Sequence, residues 1–231
     1  MNITLVIPTY NEAENVPILL ENVYRVFREH GLDGHVTIVD DNSPDGTWKV
    51  AEGLKAKYEG LRVIRRMSER GLSSAVLEGF RNSESAILGV MDADLSHPAE
   101  SIPEIVAPII RGDAEISVGS RYVSEGGIED WPVRRKISSR LATLAVRGLT
   151  SVRDPMSGFF FLKREVIQGV KLNPLGFKIA LEILVRGKYD KVVEVPITFR
   201  DRLYGETKLG SGVIADYLLH VVKLYAYKTF S

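Results

Sequence analysis

Gly89-Val90-Met91-Asp92-Ala93-Asp94-Leu95-Ser96-His97-Pro98 decides how the rest of the chain is read. An apolar run, Ala86 to Met91, stops at two carboxylates two positions apart. A short apolar run bounded by turn residues reads as a buried strand. Residues i and i+2 of an extended chain point to the same side. Asp92 and Asp94 therefore converge just beyond the C-terminal end of a strand, where open α/β sheets bind ligands. Two hard oxygen ligands at that place suit Mg²⁺ or Mn²⁺ carrying a diphosphate. An isolated D-x-D triplet is more often the cap of the next helix, so the flanking chain has to decide.

Towards the N-terminus the chain alternates. Ile3–Ile7 reads as a strand ended by Pro8-Thr9-Tyr10-Asn11-Glu12, and Ile18, Leu19, Val23, Val26 and Phe27 recur at helical spacing after it. Val36–Val39 is a second strand, ended by Asp40-Asp41-Asn42-Ser43-Pro44-Asp45-Gly46, with Thr47 expected to cap a helix reaching about Tyr58. Leu61–Ile64 is a third strand and Ser73–Phe80 a helix. Beyond Pro98 a helical stretch leads to a fifth strand, Ala114–Val118. This β/α alternation with short connections predicts a doubly wound parallel sheet. In such a sheet the turns after Pro8, Val39 and Met91 fall on one edge. Three acidic or polar turns sharing an edge point to a ligand site. No G-x-G-x-x-G or Walker loop follows the first strand, which argues against a dinucleotide or P-loop fold.

Composition sets bounds on this reading. With 231 residues, 45% hydrophobic and 26% charged, the chain has material for a real core. Lys+Arg and Asp+Glu both number 30, so overall charge offers nothing to nucleic acid. The absence of cysteine excludes disulfides, thiolate metal sites and a cysteine nucleophile. The start lacks the basic and apolar regions of a signal peptide. No uncharged apolar run approaches the roughly 20 residues that cross a bilayer.

The second half changes character. From Trp131 to Arg153 there are six basic residues and no acidic one, and Ile137, Leu141, Leu144 and Ala145 share a helical face. Basic residues beside an apolar face are what a membrane-surface helix shows, and equally what a solvated face over a core stripe shows. Arg135 and Ser139, at i and i+4, are placed to grip one phosphate. Asp154-Pro155-Met156-Ser157-Gly158 is a turn before the apolar Phe159–Leu162. Phe177–Val185 reads as helix and Val192–Phe199 as a late strand. Arg200 to Gly210 places glycine around Arg202 and Lys208, the pattern of a loop closing over an anion and equally of a plain surface loop. Val213–Phe230 is a last helix, too interrupted by Asp216, His220, Lys223 and Lys228 to span a membrane.

Seven motifs in order then resemble a known family: Pro-Thr-Tyr-Asn-Glu, Val-Asp-Asp-Asn-Ser-Pro-Asp-Gly-Thr, Arg-Gly-Leu-Ser-Ser-Ala, Asp-Ala-Asp-Leu-Ser-His-Pro, Gly-Ser-Arg-Tyr, Asp-Pro-Met-Ser-Gly-Phe-Phe and Arg-Leu-Tyr-Gly-Glu-Thr-Lys-Leu. The chain is similar, over about Ile3 to Leu209, to the family-2 inverting glycosyltransferases, and within them to the dolichol-phosphate mannose synthases. The resemblance implies a Rossmann-like, mixed but mostly parallel sheet flanked by helices (the GT-A type of nucleotide-diphosphosugar transferase), with C-terminal amphipathic helices. It implies one catalytic domain, residues 1–231, with a nucleotide-binding half to about 120 and an acceptor- and membrane-facing half from about 121. It also implies a GDP-mannose donor, a dolichyl or polyprenyl phosphate acceptor, Mg²⁺ or Mn²⁺, and a peripheral place on the cytoplasmic face of a membrane. Some members continue into transmembrane helices and others use a separate anchoring subunit.

Carried over residue by residue, the resemblance places Pro8, Tyr10, Glu12, Val39 and Asp41 at the nucleoside. Asp92, Ala93 and Asp94 fall at the metal and diphosphate, with Ser96 where some members have a glutamine ligand. Arg121, Arg135 and Ser139 match the acceptor phosphate positions, and Arg202 and Lys208 the loop over the donor diphosphate. The expected catalytic set is Asp92, Asp94, Arg121 and Arg202. A phosphate nucleophile is already anionic near neutral pH, its second pKa being about 6, so no general base is needed and the four histidines read as structural or surface residues. The competing readings are glucose transfer from UDP-glucose, a non-catalytic nucleotide-sugar-binding subunit, and a nucleotidyltransferase.

Overall fold

The computed structural model describes residues 1–129, 131–173, 176, 178–200 and 211–230. The strands are β1 (Ile3–Thr9), β2 (Gly34–Asp40), β3 (Leu61–Arg65), β4 (Ile87–Val90), β5 (Ile116–Ser120), β6 (Gly127–Ile128), β7 (Phe160–Lys163), β8 (Val192–Pro196) and β9 (Thr198–Phe199). The helices are α1 (Asn15–Glu29), α2 (Thr47–Gly53), α3 (Leu72–Arg81), α4 (Ile102–Ile110), α5 (Val133–Ala145), α6 (Ile179–Arg186) and α7 (Ser211–Phe230). Seven of the strands form one sheet in the order β3-β2-β1-β4-β7-β5-β8, and β6 pairs with β9 separately.

The sheet is parallel except at β7, which runs against both β4 and β5. Because β7 opposes both of its neighbours, β5 points the same way as β1, β2 and β4. Their C-terminal ends and the N-terminal end of β7 therefore share one edge. The order turns around between β1 and β4, the switch point at which such sheets open a crevice.

Both faces of the sheet are covered, which is why its strands read as unbroken apolar runs. Leu5 and Ile7 of β1 pack with Leu19 and Val23 of α1 and Ile102 and Ile105 of α4. Val6, one step out of phase, packs on the other face with Val76 and Phe80 of α3 and with Val90. Ile18, expected on the apolar face of α1, is 43% exposed, because Val16, Leu20 and Tyr24 fill that face instead. Thr47 is not the cap of α2 but its first residue; Asp45 captures the Thr47 N–H at 3.0 Å, and the helix stops at Gly53 rather than near Tyr58. The late strand divides. Val192–Pro196 extends the main sheet beside β5, at an edge that tolerates the missing proline N–H, and Thr198–Phe199 leaves to pair with β6.

Helix α7 packs on the domain. Val221 and Leu224 join Val146, Leu149 and Leu181 in a small core. Tyr217 Oη donates to Ala142 O at 2.6 Å and Tyr225 Oη to Ala145 O at 2.9 Å. Beneath α7 the buried His220 Nε2 lies 2.7 Å from Glu182 Oε2, while Glu182 Oε1 accepts the Asn173 N–H at 2.9 Å and lies 2.9 Å from Arg186 Nε. Burial alone raises the Glu182 carboxyl, but these partners outweigh it and hold it below its ordinary 4.5. A depressed carboxyl contributes stability above its unfolded pKa and loses it as pH falls through the folded value. Glu182→Gln is thus expected to be less stable than the parent at pH 7, with the difference narrowing as the pH is lowered below the ordinary carboxylate range, as read by urea unfolding across that range. Among the described residues no helix is long and apolar enough to cross a membrane.

Candidate active site

The loops after β1, β2 and β4 are each bent through a left-handed residue: Asn11 (φ 60°), Asn42 (φ 55°) and Leu95 (φ 60°). Asparagine tolerates this conformation, but a leucine there is strained. Strain of this kind persists only where the surroundings enforce it, and it collects at functional sites. At Leu95 the enforcing contacts are those of Asp94 with Ser96: Asp94 Oδ1 accepts the Ser96 N–H at 3.1 Å and also the Ser96 hydroxyl.

The first two loops are stitched together. Asn11 N–H donates to Ser43 Oγ at 3.0 Å, Glu12 N–H to Thr47 Oγ1 at 2.9 Å and Ala13 N–H to Asp45 Oδ2 at 3.1 Å. Buried Asp40 accepts from Thr9 Oγ1 at 2.9 Å and from the Ser43 N–H at 2.8 Å. Pro8 and Val39 are register partners in adjacent strands and form the floor behind these loops. Half-buried Tyr10 has the Arg70 guanidinium 5.4 Å from its ring centre. The Asp41 carboxylate is held from both sides, by Arg66 Nε at 2.7 Å and by the Gly71 N–H at 2.7 Å. Asp41 thereby fixes the turn before α3 against the end of β2.

Asp94 is buried, and Asp92 keeps 30% of its side chain exposed. Ala93 between them is buried. Ser96 is 1% exposed and its hydroxyl donates to Asp94, so it orients that carboxylate. Ser96, expected beside the metal, thus stands against Asp94 at the end of the same turn. On its inner side Asp92 lies against Gly158: a Cβ at that position would collide with the carboxylate. The colliding atoms are the end of a rotatable side chain, so Gly158→Ala should displace Asp92 at small cost in stability. The expected result is a melting temperature within a few degrees of the parent, as checked by calorimetry, with Asp92 turned away from its present place.

Arg121, just after β5, is held in place by Asp154. The two form a buried bidentate pair, with Arg121 Nε donating to Asp154 Oδ2 and Nη2 to Asp154 Oδ1, both at 2.7 Å. Burial works against the Arg121 cation, and the Asp154 carboxylate more than restores it, leaving its pKa raised. The same guanidinium lies 5.4 Å from the ring centres of Tyr122, Trp131 and Phe199. Arg135 stacks on Trp131 at 4.0 Å, and Ser139 Oγ accepts the Tyr122 hydroxyl at 2.7 Å. The structure thus gathers Arg121, Arg135 and Ser139 around Tyr122 and Trp131. Arg202 and Lys208 lie outside the described residues.

Lys178, just before α6, has no signal in the sequence. Burial pushes its ammonium down to about 8, helped by Arg121 and opposed by Asp92 and Asp154. It therefore belongs to the same charged cluster as Asp92 and Arg121, and an anion arriving there would favour its charged form. Asp154 and Gly158 read as a turn, but only the reversed β7 brings that turn to the site edge. Beside the cluster a groove of about 810 Å³ runs past Tyr122, Ile137, Leu141, Leu144 and Arg147. Ile137, Leu141 and Leu144 are more than half exposed, so the apolar face of α5 is open rather than part of the core.

Residues 4–170 match the model for glycosyl transferase family 2. A dolichol-phosphate mannosyltransferase of Pyrococcus furiosus is 46% identical over 97% of this chain, which spans 64% of that protein's length. The one from Saccharomyces cerevisiae is 37% identical over 97% of this chain and 87% of its own length. Among solved structures, glucosyl-3-phosphoglycerate synthase of Mycobacterium tuberculosis aligns with a TM-score of 0.68 at 17% identity, covering 98% of this chain and 80% of that one. A second structure of that enzyme, in complex with Mn²⁺, UDP-glucose and phosphoglyceric acid, aligns with a TM-score of 0.67 at 17% identity over 96% of this chain and 80% of its own. At that identity the likeness speaks for the fold.

Proposed function

Since the chain belongs to glycosyl transferase family 2, among the dolichol-phosphate mannosyltransferases, we propose that it transfers mannose from GDP-mannose to a dolichyl or polyprenyl phosphate with inversion at the anomeric carbon. The observation that carries this reading is the meeting of two sets of charges on one sheet edge. Asp92 and Asp94 stand after β4, and Arg121 and Lys178 are within electrostatic reach of Asp92. One set suits a metal-bound diphosphate and the other a phosphate acceptor.

The donor set fits a divalent cation. Mg²⁺ is usually held by one or two carboxylates together with substrate phosphates, rather than by a full protein cage. Asp92 and Asp94 would hold it, with Ser96, hydrogen-bonded to Asp94, beside them. Bound there, the cation would act as a Lewis acid towards the leaving diphosphate. Tyr10, Glu12 and the Asp41 turn border the nucleoside, and the family resemblance assigns Arg202 and Lys208, outside the described residues, to the diphosphate. Arg121, Arg135 and Ser139 align the acceptor phosphate and offset its repulsion by the donor.

The acceptor's hydrocarbon enters along the groove beside α5. Exposed Ile137, Leu141 and Leu144 on α5 and Leu218, Leu219 and Val222 on α7 meet the lipid surface, with Arg140 and Arg147 at the headgroups. The protein then works peripherally on the cytoplasmic face, alone or with a membrane-anchoring subunit. Arg135→Ala is expected to raise the KM for lipid phosphate roughly tenfold, about the worth of one charge-assisted hydrogen bond. GDP-mannose affinity should stay within twofold of the parent. An unchanged KM for lipid phosphate would remove Arg135 from the acceptor site. Transfer itself is tested by following labelled mannose from GDP-mannose into the organic phase, and its absence with Mg²⁺ and Mn²⁺ both supplied overturns the reading.

A further inference from the structure

His97 reaches Asp92 from within the core. Its side chain is 2% exposed, and Nε2 lies 3.2 Å from Asp92 Oδ2. The ring is clamped between two aromatics, 5.3 Å from Phe159 and 5.0 Å from Phe199 between centroids, nearly perpendicular to the latter. Phe199 packs in turn edge-on against Trp131 at 5.3 Å, and the next residue donates its Arg200 N–H to Ser96 O at 3.1 Å. The loop carrying His97 is therefore pinned from the β9 side as well as from Asp94.

The imidazole's other nitrogen, Nδ1, is buried and has no hydrogen-bond partner among the described residues. A buried N–H without an acceptor costs more than a buried lone pair left unused. The arrangement with no orphan donor places the proton on Nε2, donated to Asp92. Gly158 brings no side chain against the Asp92 carboxylate, whereas the clamped His97 ring offers it a hydrogen bond of fixed direction.

We propose that His97 is a positioning residue for the transfer reaction: clamped by Phe159 and Phe199, it fixes the Asp92 carboxylate in the orientation that receives the metal-bound diphosphate. The role rests on Asp92 holding the metal. His97 touches neither sugar nor phosphate and acts through Asp92. Supporting partners of ligating carboxylates typically change metal affinity by about 10–100-fold when removed.

The test is a mutant cycle read by direct binding, with Mn²⁺ affinity taken from the EPR signal of the free ion at saturating GDP. His97→Phe fills the cleft without a polar atom, and His97→Gln returns an N–H close to the place of Nε2. Expected is a loss of roughly tenfold or more in His97→Phe, recovery to within a few-fold in His97→Gln, and no further loss when His97→Phe is added to Asp92→Ala. Parental Mn²⁺ affinity in a folded His97→Phe protein overturns the proposal, as does an equal loss in the Asp92→Ala background. If His97→Phe does not fold, His97→Leu takes its place, and equal affinities for His97→Leu and His97→Gln overturn it. Asp92→Ala alone separates the two levels: unchanged Mn²⁺ affinity there removes Asp92 from the metal, whereas a loss there with none in His97→Phe removes only the role of His97.

Discussion

Asp94→Asn is expected to keep its fold and to lose mannosyl transfer by about three orders of magnitude. Asparagine has the same shape, and its carbonyl still accepts the Ser96 N–H that Asp94 Oδ1 accepts at 3.1 Å. The strained turn at Leu95 therefore keeps its support. What disappears is a full negative charge, the one that the proposed function assigns to the metal and donor diphosphate. Lewis-acid stabilisation of a leaving group is worth several kcal/mol, and about 1.4 kcal/mol corresponds to a factor of ten in rate. Circular dichroism and a melting curve check the fold, and a labelled-sugar assay checks the rate. Turnover within tenfold of the parent would remove Asp94 from the metal and diphosphate site.

Asp154→Ala is expected to destabilise the protein by about 3–5 kcal/mol, the usual consequence of leaving one member of a buried ion pair alone. The Arg121 side chain is 9% exposed and that of Asp154 0%. Asp154 accepts two Arg121 side-chain bonds and also the Arg121 N–H at 3.0 Å. Its own N–H and that of Arg153 are held by the Glu194 carboxylate at 3.0 and 2.9 Å. The pair thus ties the end of β5 to the turn before β7 and to β8. Asp154→Asn, which keeps an acceptor, should lie between the parent and the alanine variant. Urea unfolding measures both, and a loss below about 1 kcal/mol for Asp154→Ala would mean that the pair does not hold this corner.

The shared edge of the candidate site is legible in the sequence because it follows from where apolar runs stop. The runs ending at Pro8, Val39 and Met91 place Tyr10, Asp41 and Asp92 on one edge, and the parallel pairings of β1, β2 and β4 put them there. Other parts are not legible because nothing local encodes them. The run Phe159–Leu162 does not announce that it runs antiparallel, and it is that reversal which brings Asp154 and Gly158 to Arg121 and Asp92. Lys178 reads as one more residue of the Phe177–Val185 helix, whereas α6 begins at Ile179 and only folding sets Lys178 among Asp92, Arg121 and Asp154. His97 reads from the sequence as a structural or surface residue; it is buried, and its contact with Asp92 follows the turn at Leu95, which no local pattern announces. The pattern of α5 suits a core stripe and a lipid surface equally, and the exposure of Ile137 and Leu141 decides against the core.

The most direct test of mannosyl transfer to a lipid phosphate is a competition between donors. The purified protein is given polyprenyl phosphate in vesicles, a divalent cation, and equal amounts of GDP-mannose and UDP-glucose carrying different labels. The lipid product is then extracted and its anomeric configuration read by NMR. The expected result is mannose label alone in the organic phase, in the β configuration that inversion of an α-linked donor produces. Glucose label in the lipid, an α-linked product, or no lipid-linked sugar would contradict it.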